Sequence, residues 1–387
     1  MPLLEKLAVE YDVDARNQVK LPGQCVFLCI LNGLLNHPEL SQRMLEEQYK
    51  KITSRFCDHS SFGRRLSSIS THYFRAILAH LHSVVGLSIS KGDIQALKLR
   101  ICDATITTLS AKLLSFGIKA NHGGKGEKSQ VKSVIELSNE GIPDLLHICK
   151  DQSEFSDTRA LGETMKSHTR PGDLWVFDKG CNGRQILLSL HSAGSFWITP
   201  HSTQGIGTLK KVYVQTKGTT PADIQEKPQS ACLIDRVEQA IFSNSHRDNP
   251  AGLESMVIIT IHCYRWDMRA RCWKPFVLMT NLPLSECKTK AGPFSFEEIT
   301  QIYRRRWEIE TFFKLIKQHL GYEHLTSRTE NGIAVMILMS MITALLMLWY
   351  KQQTRIKNGW KAVKFWLADD VRGWTSRSVH TMQVCQT

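Results

Sequence analysis

Residues 294–321 read FSFEEITQIYRRRWEIETFFKLIKQHLG, and the rest of the chain is best understood from what this stretch must do. Ser295 stands where a helix N-cap belongs, and Glu298, three residues on, completes a capping box. Phe294 and Ile299 have the spacing of a hydrophobic staple. The periodicity predicts one continuous helix from there to Leu320, stopped by Gly321 at C′. At 100° per residue, Tyr303, Arg306, Glu310, Lys314 and Lys317 fall within an arc of about 80°. Beside them lies an apolar face of Ile302, Ile309, Phe313, Ile316 and Leu320. A solvated helix would balance its charges at i,i+4. Here basic groups dominate and a phenol heads the stripe. A phosphate backbone along the stripe accounts for both, since Arg grips phosphate bidentately, Lys as a point charge and Tyr through its hydroxyl.

Two aspartates stand in contexts that suit the same chemistry. Asp103 lies in LKLRICDAT (97–105), which reads as a strand ending in an acid. Asp178 closes DLWVFD (173–178), a short buried strand after the turn Arg170-Pro171-Gly172. Separations of 75 residues between Asp103 and Asp178, and of 132 between Asp178 and Glu310, rule out a local motif; the fold itself must gather the acids. Asp and Glu are hard oxygen ligands suited to Mg²⁺. Asp173 is a rival to Asp178 on the same strand, and Glu308 lies about 160° around the helix from Glu310. Asp58, Asp144 and Asp267 have no comparable context, and no His/Cys cluster offers another metal site.

The spacing Tyr303-x2-Arg306-x3-Glu310-x6-Lys317 resembles the Y-R-E-K signature of bacterial insertion-sequence transposases of the DDE class, insertion-sequence-four type. The resemblance covers roughly residues 60 to 350, with Asp103 and Asp178 matching the first and second acids in order. Ala104 replaces the usual Gly or Ser, and Cys181 stands where an aromatic is common. The resemblance implies an α/β fold: an RNase H-like catalytic core, a mixed sheet flanked by helices, interrupted by a β-rich insertion. It also implies catalysis by Asp103, Asp178 and Glu310 on two Mg²⁺ ions (Mn²⁺ able to substitute) about 3.5–4 Å apart. Tyr303, Arg306, Lys314 and Lys317 would bind DNA. The substrate would be double-stranded DNA, both terminal inverted repeats and target, held by a homodimer on paired ends. Relatives of this type often pass through a hairpin with an extruded base, and Trp197 is the candidate to stack on it. A metal-dependent DNA nuclease that does not join strands, or an inactive sequence-specific DNA-binding protein, would serve the same composition.

Around this signature the 387 residues divide into a helical N-terminal domain expected to bind DNA (1–95), a first core part (96–184), a β-rich insertion (185–290), the catalytic helix with the second core part (291–350) and a basic tail (351–387). Leu45, Tyr49 and Ile52 mark one N-terminal helix; Phe74, Ile77, Leu78 and Leu81 mark another. Residues 60–65 (SSFGRR) read as a turn feeding a helix start between them. Strands are expected at 134–137 and 145–149, a helix at 156–166, and short strands at 186–190, 195–199, 211–215, 256–264 and 275–281. A possible helix is expected near 234–242. The loop 121–126 (NHGGKG) matches no phosphate-loop spacing and suits a hairpin connection.

With 49 Lys+Arg against 36 Asp+Glu the formal charge is +13, which points to a polyanion partner. Residues 301–387 carry a surplus of 7 of these, and residues 1–100 only 4. Hydrophobic content of 42% excludes a disordered chain. Eleven cysteines, scattered singly, argue for reduced thiols, and the N-terminus lacks a secretory pattern, so a bacterial cytoplasmic, nucleoid-associated location is expected. Residues 333–350 are apolar enough to weigh as a membrane span; a buried core helix fits better, since the run contains Ser340 and Thr343. Trp360, Trp366 and Trp374 among basic residues suit the tail to DNA or a partner subunit.

Overall fold

A computed structural model describes residues 2–14, 20–37, 39–89, 97–109, 118–119, 129–154, 156–201, 209–216, 232–242, 256–267, 269–285, 292–323 and 325–384. The hairpin connection expected at 121–126 lies outside them. Five helices come first: α1 (Pro2–Glu10), α2 (Gly23–Asn36), α3 (Gln42–Thr53), α4 (His59–Ser68) and α5 (Thr71–Ile89). Leu45, Tyr49 and Ile52 of α3 are buried, as are Phe74, Ile77 and Leu78 of α5. Residues 60–65, expected as a turn feeding a helix start, lie wholly inside α4, which begins at His59. Asp58 is its N-cap, accepting the Ser60 N–H at 2.6 Å. Phe62 and Leu66, four residues apart, give this Ser- and Arg-rich run its buried stripe.

The chain continues through β1 (Lys98–Thr108), β2 (Ile118–Lys119), β3 (Ser129–Ser138), β4 (Pro143–Cys149), α6 (Asp157–His168), β5 (Asp173–Val176), α7 (Arg184–Ser192) and β6 (Phe196–Pro200). Next are β7 (Leu209–Thr216), β8 (Cys232–Phe242), β9 (Val257–Asp267) and β10 (Cys272–Thr280). Helices α8 (Phe296–Arg304), α9 (Trp307–His319), α10 (Glu330–Gln353) and α11 (Trp360–Val384) complete it.

β1, β5 and β6 are parallel neighbours, while β3 runs antiparallel to β1 and β4 antiparallel to β3. The order β4-β3-β1-β5-β6, a reversed hairpin beside three parallel strands, is RNase H-like. Beyond β6 the same sheet continues antiparallel through β10, β9, β8 and β7 to make ten strands. The segment expected as an insertion therefore lengthens the central sheet.

Two local expectations there are corrected. Residues 186–190 form α7: Ile186, Leu187 and Leu190 are buried at helical spacing, and a parallel step from β5 to β6 needs a crossover. Residues 234–242 belong to a strand, β8. The spacing of Ile234, Val237 and Ile241 suits a helix, but backbone pairing along both edges, to β7 and to β9, prevails.

α10 is the one helix among the described residues long and apolar enough to cross a membrane, and it is mostly buried inside the fold. Ser340 and Thr343 are tolerated there because their hydroxyls donate to Met336 O (3.0 Å) and Met339 O (2.7 Å) one turn back.

The helix expected at 296–320 has both of its predicted ends. The capping box of Ser295 and Glu298 is formed, and Gly321 takes φ 61°. Ser295→Ala should cost ~1 kcal/mol, read as a lower urea midpoint at unchanged m-value. The middle differs: a tight turn at Arg305–Arg306 divides the run into α8 and α9. Its N–H groups reach back three residues, Arg305 to Ile302 O (3.1 Å) and Arg306 to Tyr303 O (3.0 Å). Neighbouring guanidiniums are drawn to different partners. Arg305 holds the side-chain oxygen of Asn139 at 2.5 Å and Glu308 at 2.8 Å, while Arg306 turns toward the acids of β1 and α9.

Candidate active site

Parallel pairing of β1 with β5 ends at Ile101 and Val176. Asp103 and Asp178 each lie two residues further on, where the strands part. Burial pushes the Asp103 carboxyl up to about 6; the Ala104 N–H (2.7 Å) and Arg306 oppose this, while Asp178 and Asp157 reinforce it. Glu310 comes from the first turns of α9, and its Oε1 accepts Arg306 Nη2 at 2.7 Å. Arg306 Nη1 stands 4.0 Å from Asp103 Oδ2. One guanidinium therefore spans two of the acids, and it also feels the charge of the third, Asp178. Burial works against the Arg306 charge, but Tyr303, Glu310 and Asp178 together outweigh it and raise its pKa.

The other sequence candidates fall in different places. Tyr303 is only 7% exposed; its ring packs 5.5 Å from Phe276, and burial lifts its phenol to about 12. Arg306 is 9% exposed, so its present partners are carboxylates. Lys314 and Lys317 line an open groove of about 350 Å³ together with Glu310, Phe313, Gln318 and Glu323. Trp197 is wholly buried in β6, between β5 and β10, and no base reaches it without opening the sheet.

Several neighbours were missed or set aside on sequence. Trp307, at the start of α9, is 56% exposed, with the Arg306 guanidinium 5.7 Å from its ring. An aromatic three residues before the acid was the available signal. Asp157 is a fourth carboxylate acting on Asp103, positioned by the Ser156 cap of α6 and paired with Lys132 at 2.9 Å. Asp173 is committed elsewhere: it is buried and accepts from Arg100 at 2.8 Å. Glu308 is held by Arg305. Cys181 is buried, donating its thiol to Asp157 O at 3.3 Å.

One His/Cys group does exist, contrary to the sequence expectation: ligand atoms of His147, Cys149 and Glu154 lie within 4.8 Å of one another. Its present bonds are those of a turn cap. His147 meets Glu154 Oε1 at 2.6 Å, and Glu154 Oε2 accepts the Lys150 N–H at 2.9 Å.

In the tail, α11 is a packed helix whose buried Val363, Leu367 and Val371 face the core. The Lys364 ammonium donates to the His319 carbonyl at the end of α9. Trp360 lies under Lys351 and Trp366 is 40% exposed; the side chain of Trp374 is outside the described residues.

The donor set fits a hard divalent cation. Asp103 lies within β1, which runs on to Thr108 and does not end at the acid as expected. Carboxylates from mid-β1, from just past β5 and from a helix converge, burial disfavours the charge on one of them, and a guanidinium now lies between two.

The chain is similar to known proteins over the span that carries these residues. The family model described as the transposase DDE domain matches residues 95–347, a span that contains all three acids. A Synechocystis sp. sequence named as a transposase for insertion sequence element IS4SA is 40% identical over 72 residues, 19% of this chain and 21% of that relative. One from Geobacillus stearothermophilus, named for element IS5377, is 34% identical over 61 residues, 16% of each chain. The matched stretch thus spans about a fifth of the length of these curated relatives. A solved structure of a piggyBac transposase synaptic complex with hairpin DNA overlays with a TM-score of 0.44 at 10% identity, covering 97% of this chain and 77% of that one.

Proposed function

This chain belongs to the transposase DDE domain family, and on that premise we propose that it is a bacterial insertion-sequence DNA transposase. It would cut at terminal inverted repeats and join the freed 3′-OH to target DNA. The observation that carries the reading is the gathering of Asp103, Asp178 and Glu310 around Arg306.

Asp103, Asp178 and Glu310 would hold two Mg²⁺ ions, with Mn²⁺ able to substitute. When bound, the metal supplies activation of the attacking oxygen and stabilisation of the leaving one in an in-line displacement. The chain's own residues do the rest. In the first step water attacks phosphorus, the P–O3′ bond breaks, and the freed 3′ oxygen takes a proton. In the second, that hydroxyl attacks a phosphodiester, one P–O bond forming as another breaks. Lys314 and Lys317 supply charge for the phosphates beside Glu310, and Tyr303 fixes Arg306 from below through ring and phenol. A homodimer on paired ends, acting in the cytoplasm, completes the proposal.

Trp307 takes the stacking role first considered for Trp197. Trp307→Ala should slow end processing about tenfold, with Trp307→Tyr close to wild type, measured as single-turnover nicking of end DNA. Trp197→Ala should instead cost about 3–5 kcal/mol of stability.

The deciding experiment incubates purified chain with DNA carrying the flanking inverted repeats, with and without Mg²⁺. Nicking that requires the ion, followed by strand joining, is expected. Cutting without joining would favour a nuclease, and tight binding without cutting would sink the catalytic reading.

A further inference from the structure

β4 ends in His147-Ile148-Cys149, and the single helical turn Gln152–Glu154 brings a carboxylate back to that end before α6 begins. Residues two apart on a strand share a face, so His147 and Cys149 project together. That face is the one α6 covers, since Cys149 packs in the apolar cluster that also holds Val134, Ala160 and Leu161. The His147 ring, the Cys149 sulfur and the Glu154 carboxylate each offer one ligand atom, all within 4.8 Å of one another.

The turn holds the carboxylate in a set direction. Glu154 Oε2 accepts the N–H groups of Lys150 at 2.9 Å and Asp151 at 3.4 Å, which leaves Oε1 aimed at His147 Nε2, 2.6 Å away. A carboxylate oriented through one oxygen presents the other as a ligand. Lys150, next in the chain, is engaged with Glu330, and Lys132, across the ladder from Cys149, with Asp157. The His147 side chain is 42% exposed and opens the group to solvent, while the sulfur lies at its buried end.

We propose that His147, Cys149 and Glu154 form a zinc site that ties the end of β4 to the approach to α6. One imidazole, one thiolate and one carboxylate are a donor mix that Zn²⁺ takes, whereas three acids suit Mg²⁺. Tetrahedral bonds of about 2.0–2.3 Å set ligand atoms about 3.3–3.6 Å apart, so the ring must swing back from Glu154 by roughly 0.7 Å. Its exposure allows that, and a fourth position is left to water. Binding replaces the Cys149 S–H bond by a bond from sulfur to zinc and releases that proton to solvent. The site shares no residue with Asp103, Asp178 and Glu310 and does not depend on the reaction assigned to them.

The test titrates Co²⁺, a spectroscopic stand-in for Zn²⁺, into the reduced full chain after chelator treatment. A thiolate-to-cobalt charge-transfer band in the near ultraviolet is expected, and added Zn²⁺ should abolish it by displacement. Carboxylates alone give no such band, so Co²⁺ at the catalytic acids stays silent. Cys149→Ser should remove the band, and His147→Gln and Glu154→Gln should each weaken binding by about tenfold or more. Glu154→Gln keeps an oxygen for the backbone N–H groups of the turn, so its loss of affinity reports the metal and not the cap. If Cys149→Ser does not fold, these two partly exposed positions decide. Zn²⁺ should also slow amide exchange over residues 150–154 and the first turn of α6 in the wild-type chain, and not in His147→Gln. No band in the folded wild-type chain, a band that survives Cys149→Ser, or undiminished affinity in both Gln variants overturns the proposal.

Discussion

Asp103→Asn is expected to abolish metal-dependent nicking, by on the order of 10³-fold or more, and to make the metal-free chain more stable at neutral pH. Both effects come from one placement. The carboxyl sits past the end of the β1–β5 pairing, 26% exposed, and faces the charges of Asp178 and Asp157. Burial, the largest cause, lifts its pKa to about 6, against about 3.9 in an unfolded chain. The folded state then binds the proton more tightly. Stability from this group is present below about pH 4, declines as pH rises toward about 6, and stays lost above that. Removing the charge should recover about 1–3 kcal/mol at pH 8 and little at pH 4, a figure reduced for the partial exposure of the side chain. Thermal unfolding of both proteins in chelator at the two pH values checks this. Added Mg²⁺ should raise the midpoint of the wild-type chain more than that of the variant. Equal or lower stability of Asp103→Asn at pH 8 would contradict the account of a strained, metal-seeking site.

What could be read from the sequence was what short-range geometry determines. The Ser295–Glu298 box and the Gly321 stop are hydrogen-bond and backbone requirements within a few residues, and both stand as expected. Arg306 and Glu310 are one helical turn apart, and they pair at 2.7 Å. What escaped depends on partners distant in the chain. The break at Arg305–Arg306 follows from Asn139, more than 160 residues earlier, drawing one guanidinium while the acids draw the next. Trp197 and Trp307 are both large aromatics near basic or apolar runs. Only strand pairing on both sides of β6 and the exposed start of α9 separate a core ring from a surface one. Residues 186–190 suit a strand on sequence because a short apolar run has no period long enough to decide, and the parallel step from β5 to β6 settles them as α7. Asp157 joined the acids only through the packing of α6 against β1.

A loss of stability as large as that expected of Trp197→Ala lies three residues before Asp103. Arg100 is buried and donates to Glu136 at 2.6 Å, to Asp173 at 2.8 Å and to the His168 carbonyl at 2.6 Å, with its guanidinium 4.0 Å over Trp175. Arg100→Met would leave two acids in the interior with no cation between them. That should cost about 3–5 kcal/mol, enough to bring a marginal fold close to unfolding. Urea unfolding measures it. The combined change Arg100→Met, Glu136→Gln and Asp173→Asn should be much milder, because no net charge is then stranded. If single and triple variants lose equally, the cost belongs to lost packing over Trp175 and not to unpaired charge. The cluster also bears on the chemistry. Arg100 pairs with Trp175 in the β1–β5 register and binds Asp173 at the start of β5, so it holds together the two strands that deliver Asp103 and Asp178. In the triple variant, nicking should fall further than stability does, because loosening that register separates the first two acids while leaving Glu310 on α9 in place.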